Sequence, residues 1–582
     1  MANIPVCAAV GVALFAVTAV AHECPAQPRL QPASSQSPPL LADSAAVSRR
    51  ARDLQAGFER RRRFMLPRFS IGTADHCLIV GRFCEWHPDS QDYVVPEEGN
   101  DIRRARAELL RDLEKASTTL PGDDWIVGQR VRYLVEARDT AAIAVARSCH
   151  ASKWWCEALL GIALHVDGNF AGADSAFAMA LDDMPSLARC DWTNLSPILD
   201  GDIRGGYQKM SCAEREVVNA RIWWMADPLY MTPGNERRTE HFSRVLQTVL
   251  QRDAVNTYGT SWGRDLAELI VRFGWAEKWT QEAWPARYEV RPVITGHERE
   301  PGFHFFPTRR PPDSVAQIAD SLFDIYQLPL REQYSPAYTR AFVRLDAQVA
   351  RFRRGDSTRV VAAYDVRADT IFGRREFAAT LAVMPDEATA PFRIEVAKSP
   401  AKNVLTVTTP WKSQLVGVEL LARDSAGAAR WRSGLAGVPL DSGGVSVSDL
   451  LFVDGGPSLP VDLDDAIARA HGGLKFRRDT KVGLFWEIYG KTSVDSALPI
   501  SLTIMPIDEG FLRRAFRALH IAPRATPLNV RWQENGASGV LSARSVLLDL
   551  SLVPPGRYAV KLEVGGYPTA VTSRLIEVTA TP

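Results

Sequence analysis

The chain has 582 residues, 46% of them hydrophobic and 24% charged, with a formal net charge of +1. That length exceeds what one core serves and sets an expectation of about three to four domains. The near-zero charge excludes the basic face that nucleic acid requires and the polybasic segment of a membrane-surface protein.

Ile4 to Ala21 is apolar and ends in Ala19-Val20-Ala21, a small-x-small cleavage pattern, so residues 1–21 read as a secretory signal peptide, although no Lys or Arg precedes the run. Cleavage there leaves no membrane span, and the destination expected is extracytoplasmic, in the periplasm or at the cell surface. Cys24 follows closely, which raises lipidation as an alternative, but Glu23 stands where a small residue is wanted. Residues 22–58 are expected to be a disordered linker, since Pro25 to Ala46 is rich in Pro, Ser and Gln. The basic run Arg60 to Arg63 reads as a solvated helix start.

Residues 59–215 are expected to form a helical domain. All seven cysteines after the cleavage point lie between positions 24 and 212. In an oxidising compartment that clustering suggests disulfides, by proximity Cys77 with Cys84, Cys149 with Cys156 and Cys190 with Cys212, although six cysteines allow 15 arrangements. His76, Cys77, Cys84 and His87 could instead hold zinc, but their spacing departs from the usual zinc patterns, and neither metal nor cofactor is expected. Asp101 to Ala116 carries Ile102, Ala105, Leu109, Leu113 and Ala116 at helical spacing. Further on, Leu160-Gly161, Leu164, Ala173, Phe177, Ala180 and Pro185 resemble the skeleton of a tetratricopeptide repeat, with Asp167-Gly168-Asn169 as the turn. In such a pair Gly161 and Ala173 are small where the helices cross and Phe177 fills the groove. A degraded copy stands one repeat earlier, at Val127-Gly128 and Val131.

Residues 216–330 hold the densest aromatic and charged stretch. Trp223 and Trp224 call for burial. Asn235 can cap a helix from Glu236 to about Leu250, with Phe242, Val245, Leu246 and Val249 on its apolar face and local ion pairs among Glu236, Arg237, Arg238 and Glu240. The order from Trp223 through Asp227-Pro228 and Glu240-His241, then Trp262-Gly263-Arg264-Asp265 and an apolar strand ending at Phe273-Gly274, resembles the GWxTD domain of exported bacterial proteins. Ser261 stands for the signature Gly and Arg264 for its Thr, and the resemblance covers roughly Val217 to Trp279. It implies an α/β module and an exported protein, and no catalytic residues.

Beyond Trp284 the periodicity changes. Phe303 to Pro307 reads as strand and Asp313 to Tyr326 as a short helix. Two immunoglobulin-like β-sandwich domains are expected, over 331–455 and 456–582, from alternating runs such as Phe377 to Val383, Val416 to Ala422 and Val482 to Ile488. Arg354-Gly355-Asp356 reads as a hairpin turn rather than an adhesion motif. Asp462, Asp464 and Asp465 read as a helix start rather than a calcium loop.

The sequence therefore predicts a multidomain α + β protein: a tetratricopeptide-like helical region, a central α/β module and two β-sandwiches. No nucleophile elbow, zinc-protease helix or phosphate-cradling loop occurs. The function expected is a non-catalytic envelope scaffold for protein or peptide partners, with Trp223, Trp224, Trp262 and Asp265 structural. The alternative is a periplasmic hydrolase using Asp227, Glu240, His241 and Asp265. Convergence of those four in one open pocket would favour the enzyme; dispersal into ion pairs would favour the scaffold.

Overall fold

In the computed structural model, helices occupy the N-terminal part of the chain and β-sheets the C-terminal part. It describes residues 39–69, 78–85, 94–282, 293–299, 302–325, 331–437, 445–490, 497–507, 528–535, 541–565 and 569–580. Met1–Ala46 and Val47–Pro582 are separate units, and the cores, sheets and cavity all belong to the second. The expected signal peptide, Cys24, and the His76, Cys77 and His87 positions lie outside the described residues, as does the side chain of Cys84.

The linker expected through residue 58 is instead helical from Pro39, in a helix that ends at Met65. Its Ala51 and Phe58 join Ile102, Leu109 and Leu113 of helix Asn100–Thr119 and Tyr133 of helix Asp124–Glu136 in one core. Far from being solvated, Arg62 is buried. Helices Lys153–Val166 and Phe170–Asp183 form the hairpin that the repeat-like spacing predicts, with a positive φ at Gly168 in its turn. A methyl on Gly161 would lie 2.8 Å from the Phe177 ring, so glycine is what lets these helices meet. Disulfides Cys149–Cys156 and Cys190–Cys212 are present, as an oxidising environment permits.

Helix Glu236–Arg252 starts at Asn235, whose side chain accepts from the Arg238 N–H. Phe242, Leu246 and Leu250 pack into the helical core. Its polar face is buried as well: Arg237, Glu240, His241, Ser243, Arg244 and Gln247 are each at most 7% exposed. The ion pairs expected within this helix are replaced by pairs to other elements, Arg237 with Glu332 and Arg238 with Asp174. The run Leu266 to Phe273, expected as a strand, is a helix, Arg264–Phe273. Its Leu266, Leu269, Ile270 and Phe273 recur at helical spacing and are buried. Asp313 to Tyr326 yields two short 3₁₀ turns, Val315–Gln317 and Asp320–Phe323. Phe303 makes an isolated bridge to Tyr334 rather than a strand.

The β region is a stack of four sheets. The first, in spatial order, holds Phe342–Arg344, Ala428–Leu435, Gln414–Ala422, Phe377–Met384 and Phe392–Val396. The second holds Lys402–Pro410, Ser357–Asp365 and Ala347–Arg354. In the third, Lys481–Tyr489 pairs with Ser446–Val447 and Leu451–Asp454 and also with Leu541–Asp549. The fourth runs Lys475–Arg477, Ala570–Thr579, Gly556–Val564, Ala497–Pro506 and Leu528–Asn535. First and second share a core through Leu381, Val383, Val416, Val360 and Ala362. Third and fourth share another through Leu484, Trp486, Leu502 and Val560.

A third apolar layer joins the two pairs. Phe352, Val361 and Ala363 of the second sheet pack on Val453 and Phe485 of the third, beside Leu463 and Ala466 of helix Leu463–Ala468. Asp462 caps that helix, its side chain accepting from the Asp465 N–H, as its acidic start suggests. The free face of the first sheet, through Ala382, Met384 and Leu415, covers Trp224, Met225 and Tyr230. Arg354-Gly355-Asp356 is the expected hairpin turn, and Arg354 is held by Glu487 at 2.7 Å.

Candidate functional site

In the helical part a cavity of about 130 Å³, open to solvent, lies where helix Glu236–Arg252 meets the segments that follow helix Arg264–Phe273 and residue 333. On its wall His165 Nε2–H donates to Glu240 Oε2 at 2.7 Å, and His165 Nδ1 lies 2.8 Å from Thr239 Oγ1. Arg244 Nε–H donates to Glu240 Oε1 at 2.5 Å. The rest of the Arg244 guanidinium donates to the Arg272 carbonyl at 2.8 Å, at the helix C-terminus where a cation is favoured, and to the Gln333 carbonyl at 2.8 Å. Burial works to raise the Glu240 carboxyl, but Arg244 and His165 outweigh it and hold the group well below the ordinary carboxylate range.

A second charged set lines the same cavity. Arg62 donates to Glu136 at 3.0 Å and lies 3.2 Å from Glu98, and Arg106 donates to Glu98 at 2.6 Å. On the same wall Arg138 pairs with Glu277, and Phe170 and Trp275 supply apolar surface. Tyr334, 5% exposed, is also on the wall; Arg237 lies over its ring, while its hydroxyl has no hydrogen-bond partner among the described residues. Burial raises that phenol well above its ordinary range, so it is a neutral donor.

The Thr239–His165–Glu240 order is that of a hydroxyl, imidazole and carboxylate relay. It cannot serve as one here. Thr239 is fully buried, donates to the Glu236 carbonyl and does not border the cavity. Both imidazole nitrogens are taken, so His165 has none to turn toward a ligand.

Of the four residues weighed for hydrolysis, only Glu240 lines the cavity. His241 points the other way, against Trp223 at 5.2 Å between ring centroids, and neither of its nitrogens makes a well-directed hydrogen bond. Burial, with Arg237 and Arg244 nearby, lowers it to about 3, so it is neutral. Asp265 binds Arg82, whose hydrogen bonds lower its carboxyl, on an exposed face. Asp227 is buried at the first sheet. There Arg430 and Arg432 donate to the Asp227 and Pro228 carbonyls, and Arg432 also donates to Glu419 at 2.6 Å. Burial and Glu236 push the Asp227 carboxyl well up. The four do not converge.

The tryptophans named as structural are placed accordingly. Trp223 packs with Phe306 and Ile222, Trp224 meets Met384, and Trp262 is half-buried beside Leu266. The residues that sequence reasoning missed, His165, Tyr334, Arg62, Arg106 and Glu98, come from five separate segments. The one local signal was a helix, Glu236–Arg252, with too many charges for a structural core. Among the described residues no cluster of three or more His, Cys, Asp or Glu is arranged to hold a metal. No described helix is long and apolar enough to cross a membrane.

No protein-family model and no curated protein matches the chain. Among solved structures, it resembles a red sea bream transglutaminase at 10% identity and TM-score 0.12, over 40% of this chain and 32% of that one. It also resembles native alpha-2-macroglobulin from Escherichia coli, in a structure spanning domain MG7 to the C-terminus. That match is at 12% identity and TM-score 0.15, over 84% of this chain and 60% of that one. The chain thus spans less than two thirds of either structure, and at these TM-scores neither likeness bears on function.

Proposed function

We propose that the protein is an exported, non-catalytic scaffold of the cell envelope that binds protein or peptide partners along the open edges of its sheet stack. The observation that carries this is at the third and fourth sheets. Among the described residues, the backbone of Leu541–Asp549 is laddered only to Lys481–Tyr489, and that of Leu528–Asn535 only to Ala497–Pro506, although an Arg544–Glu534 side-chain pair links the two strands. Exposed Leu541, Leu547 and Val530 lie along them. An edge with unpaired backbone groups and apolar side chains accepts an added strand. The sealed relay at Thr239 and the scattered acids support a binding rather than a hydrolytic role. The disulfides and the apolar run Ile4 to Ala21 support export. Within this proposal Val217 to Trp279 is GWxTD-like, the hairpins before it are tetratricopeptide-like, and each pair of sheets is immunoglobulin-like.

A photo-crosslinking residue at Leu547, in the exported chain within its own cell envelope, tests the scaffold. The expected result is a discrete adduct that disappears when Val546 and Leu548 flank the probe as prolines, which cannot donate to a strand. An adduct pattern indifferent to those prolines, or none, refutes edge binding.

A further inference from the structure

The contact between the helical part and the first sheet is charged and dry. Helix Cys212–Ala226 ends there in Trp224 and Met225, which pack on Ala382, Met384 and Leu415 of the sheet. Beside that contact lie three acids, Asp227, Glu236 and Glu419, and two arginines, Arg430 and Arg432, none more than 9% exposed. Arg432 donates to Glu419 at 2.6 Å, and both arginines donate to the Asp227 and Pro228 carbonyls. Neither gives a hydrogen bond to the Asp227 or Glu236 carboxyl, and Asp227 Oδ1 and Glu236 Oε2 have no partner. Three phenols complete the surroundings, Tyr230, Tyr334 and Tyr338, and burial raises each, so all are neutral. Arg237, next on the helix, is turned to Glu332, whose other oxygen lies 2.9 Å from His304; that set is balanced once His304 is neutral.

Three carboxylates against two guanidiniums balance only while one carboxyl keeps its proton. A protonated carboxyl is tolerable out of water, whereas an uncompensated charge is not. Burial, then Glu236, pushes the Asp227 carboxyl well up, and burial lifts Glu236 to about 8. The contact is therefore closed with one proton in it and gains a net negative charge when that proton leaves. We propose that this seam is a pH-operated joint: release of the proton in mildly alkaline surroundings parts helix Cys212–Ala226 from the first sheet, and its return closes the contact. Opening admits water to the unpaired carboxylate, which stabilises the ionised form. The bodies on either side keep their own cores, around Phe242 and Leu246 in the helices and around Val360 and Val416 in the sheets. None of this depends on the sheet edges, so the joint stands or falls separately from partner binding there.

Methionine oxidation of the full chain by dilute hydrogen peroxide, read by peptide mass spectrometry, tests it. Met225 and Met384, 0% and 3% exposed, lie in the joint. Met184, 5% exposed, lies in the helical core, and Met179, 46% exposed, gives the unhindered rate at each pH. One proton released on opening makes the open population grow about tenfold per pH unit beyond the transition. Oxidation of Met225 and Met384 relative to Met179 is therefore expected to rise about tenfold or more between about pH 7 and about pH 9.5, while Met184 stays protected. Glu236→Gln leaves two charges of each sign and is expected to flatten the rise. Four results would each overturn the joint: no rise, a rise that persists after return to about pH 7, Met184 rising with the other two (whole-chain unfolding), or an equal rise in Glu236→Gln. If Glu236→Gln does not fold, Asp227→Asn balances the same count and takes its place, with an equal rise there counting against the joint.

Discussion

Glu236 and Glu240 lie one turn apart on the same helix, both out of water, and titrate in opposite directions. Glu240 has a hydrogen-bond donor at each oxygen, Arg244 at one and His165 at the other. Glu236 has a phenol, Tyr338, donating to one oxygen and no hydrogen-bond partner for the other. Burial raises it to about 8, against the weaker opposing pull of Tyr338. Below the unfolded value of about 4.5 both states hold the proton and nothing is lost. Between about 4.5 and 8 the unfolded chain releases the proton while the folded chain keeps it, so this group's contribution worsens as pH rises and levels off above 8. Glu236→Gln, which mimics the protonated acid, is expected to raise stability by a few kcal/mol at pH 8 and to leave it nearly unchanged at pH 4. Urea unfolding followed by tryptophan fluorescence at the two pH values measures the difference; equal effects at both would refute it. Glu332 behaves in the opposite sense. Burial opposes its ionisation, but Arg237 at 2.6 Å and His304 at 2.9 Å prevail and hold it near 2. Its stabilisation is full above about 4.5 and is lost as pH falls through about 2. Glu332→Ala strands the buried Arg237 and is expected to cost about 3–5 kcal/mol at neutral pH, a deficit that shrinks toward pH 2.

Elements whose partners are near in sequence were the legible ones. The hairpin of Lys153–Val166 and Phe170–Asp183 followed from Gly161, Phe177 and the turn, because a helical hairpin is specified by its own two helices. Two disulfides followed from proximity for the same reason, with sequence separations of 7 and 22. Closing loops that short contributes on the order of 2–3 kcal/mol each by the chain-entropy model. Replacing both Cys190 and Cys212 by Ser is expected to lower the unfolding free energy of the helical part by about that amount, read from denaturant midpoints. An unchanged midpoint would show that the bridge constrains nothing. Helix Arg264–Phe273 was misread because an apolar run of eight residues fits either period; its burial at Leu266, Leu269, Ile270 and Phe273 shows the helical one. Arg237 was expected to pair within Glu236–Arg252 because its partner Glu332, in the cover formed by residues 331–338, lies about ninety positions away and announces nothing locally. The cavity was illegible for that same reason.

At the scale of the molecule, the sheets are one stack rather than two beads. In Ser357–Asp365 the run Val360-Val361-Ala362-Ala363-Tyr364 does not alternate, and each of its residues is fully buried. Val360, Ala362 and Tyr364 face the first sheet, while Val361 and Ala363 face the third. A strand with both faces covered has no polar side to show, and that continuous apolar run was the sequence's sign that a further layer exists. The layer is made by Phe352 and Phe485, with ring centroids 5.9 Å apart, together with Val453, Leu463 and Ala466. Sheets that share a core unfold together, so calorimetry of the full chain is expected to show all four in a single transition. Phe485→Ala removes one of the two rings and opens a cavity, which costs about 3–5 kcal/mol in a well-packed core. Because the loss falls between the sheet pairs and not within either, it is expected to split that transition, the two pairs then melting at different temperatures. Trp486→Ala is the control: its side chain points the other way, into the core of the third and fourth sheets, and should lower the melting temperature of that pair directly. If Phe485→Ala instead shifts one undivided transition, the joining layer is not what couples the pairs, and coupling must run through the chain segment between them.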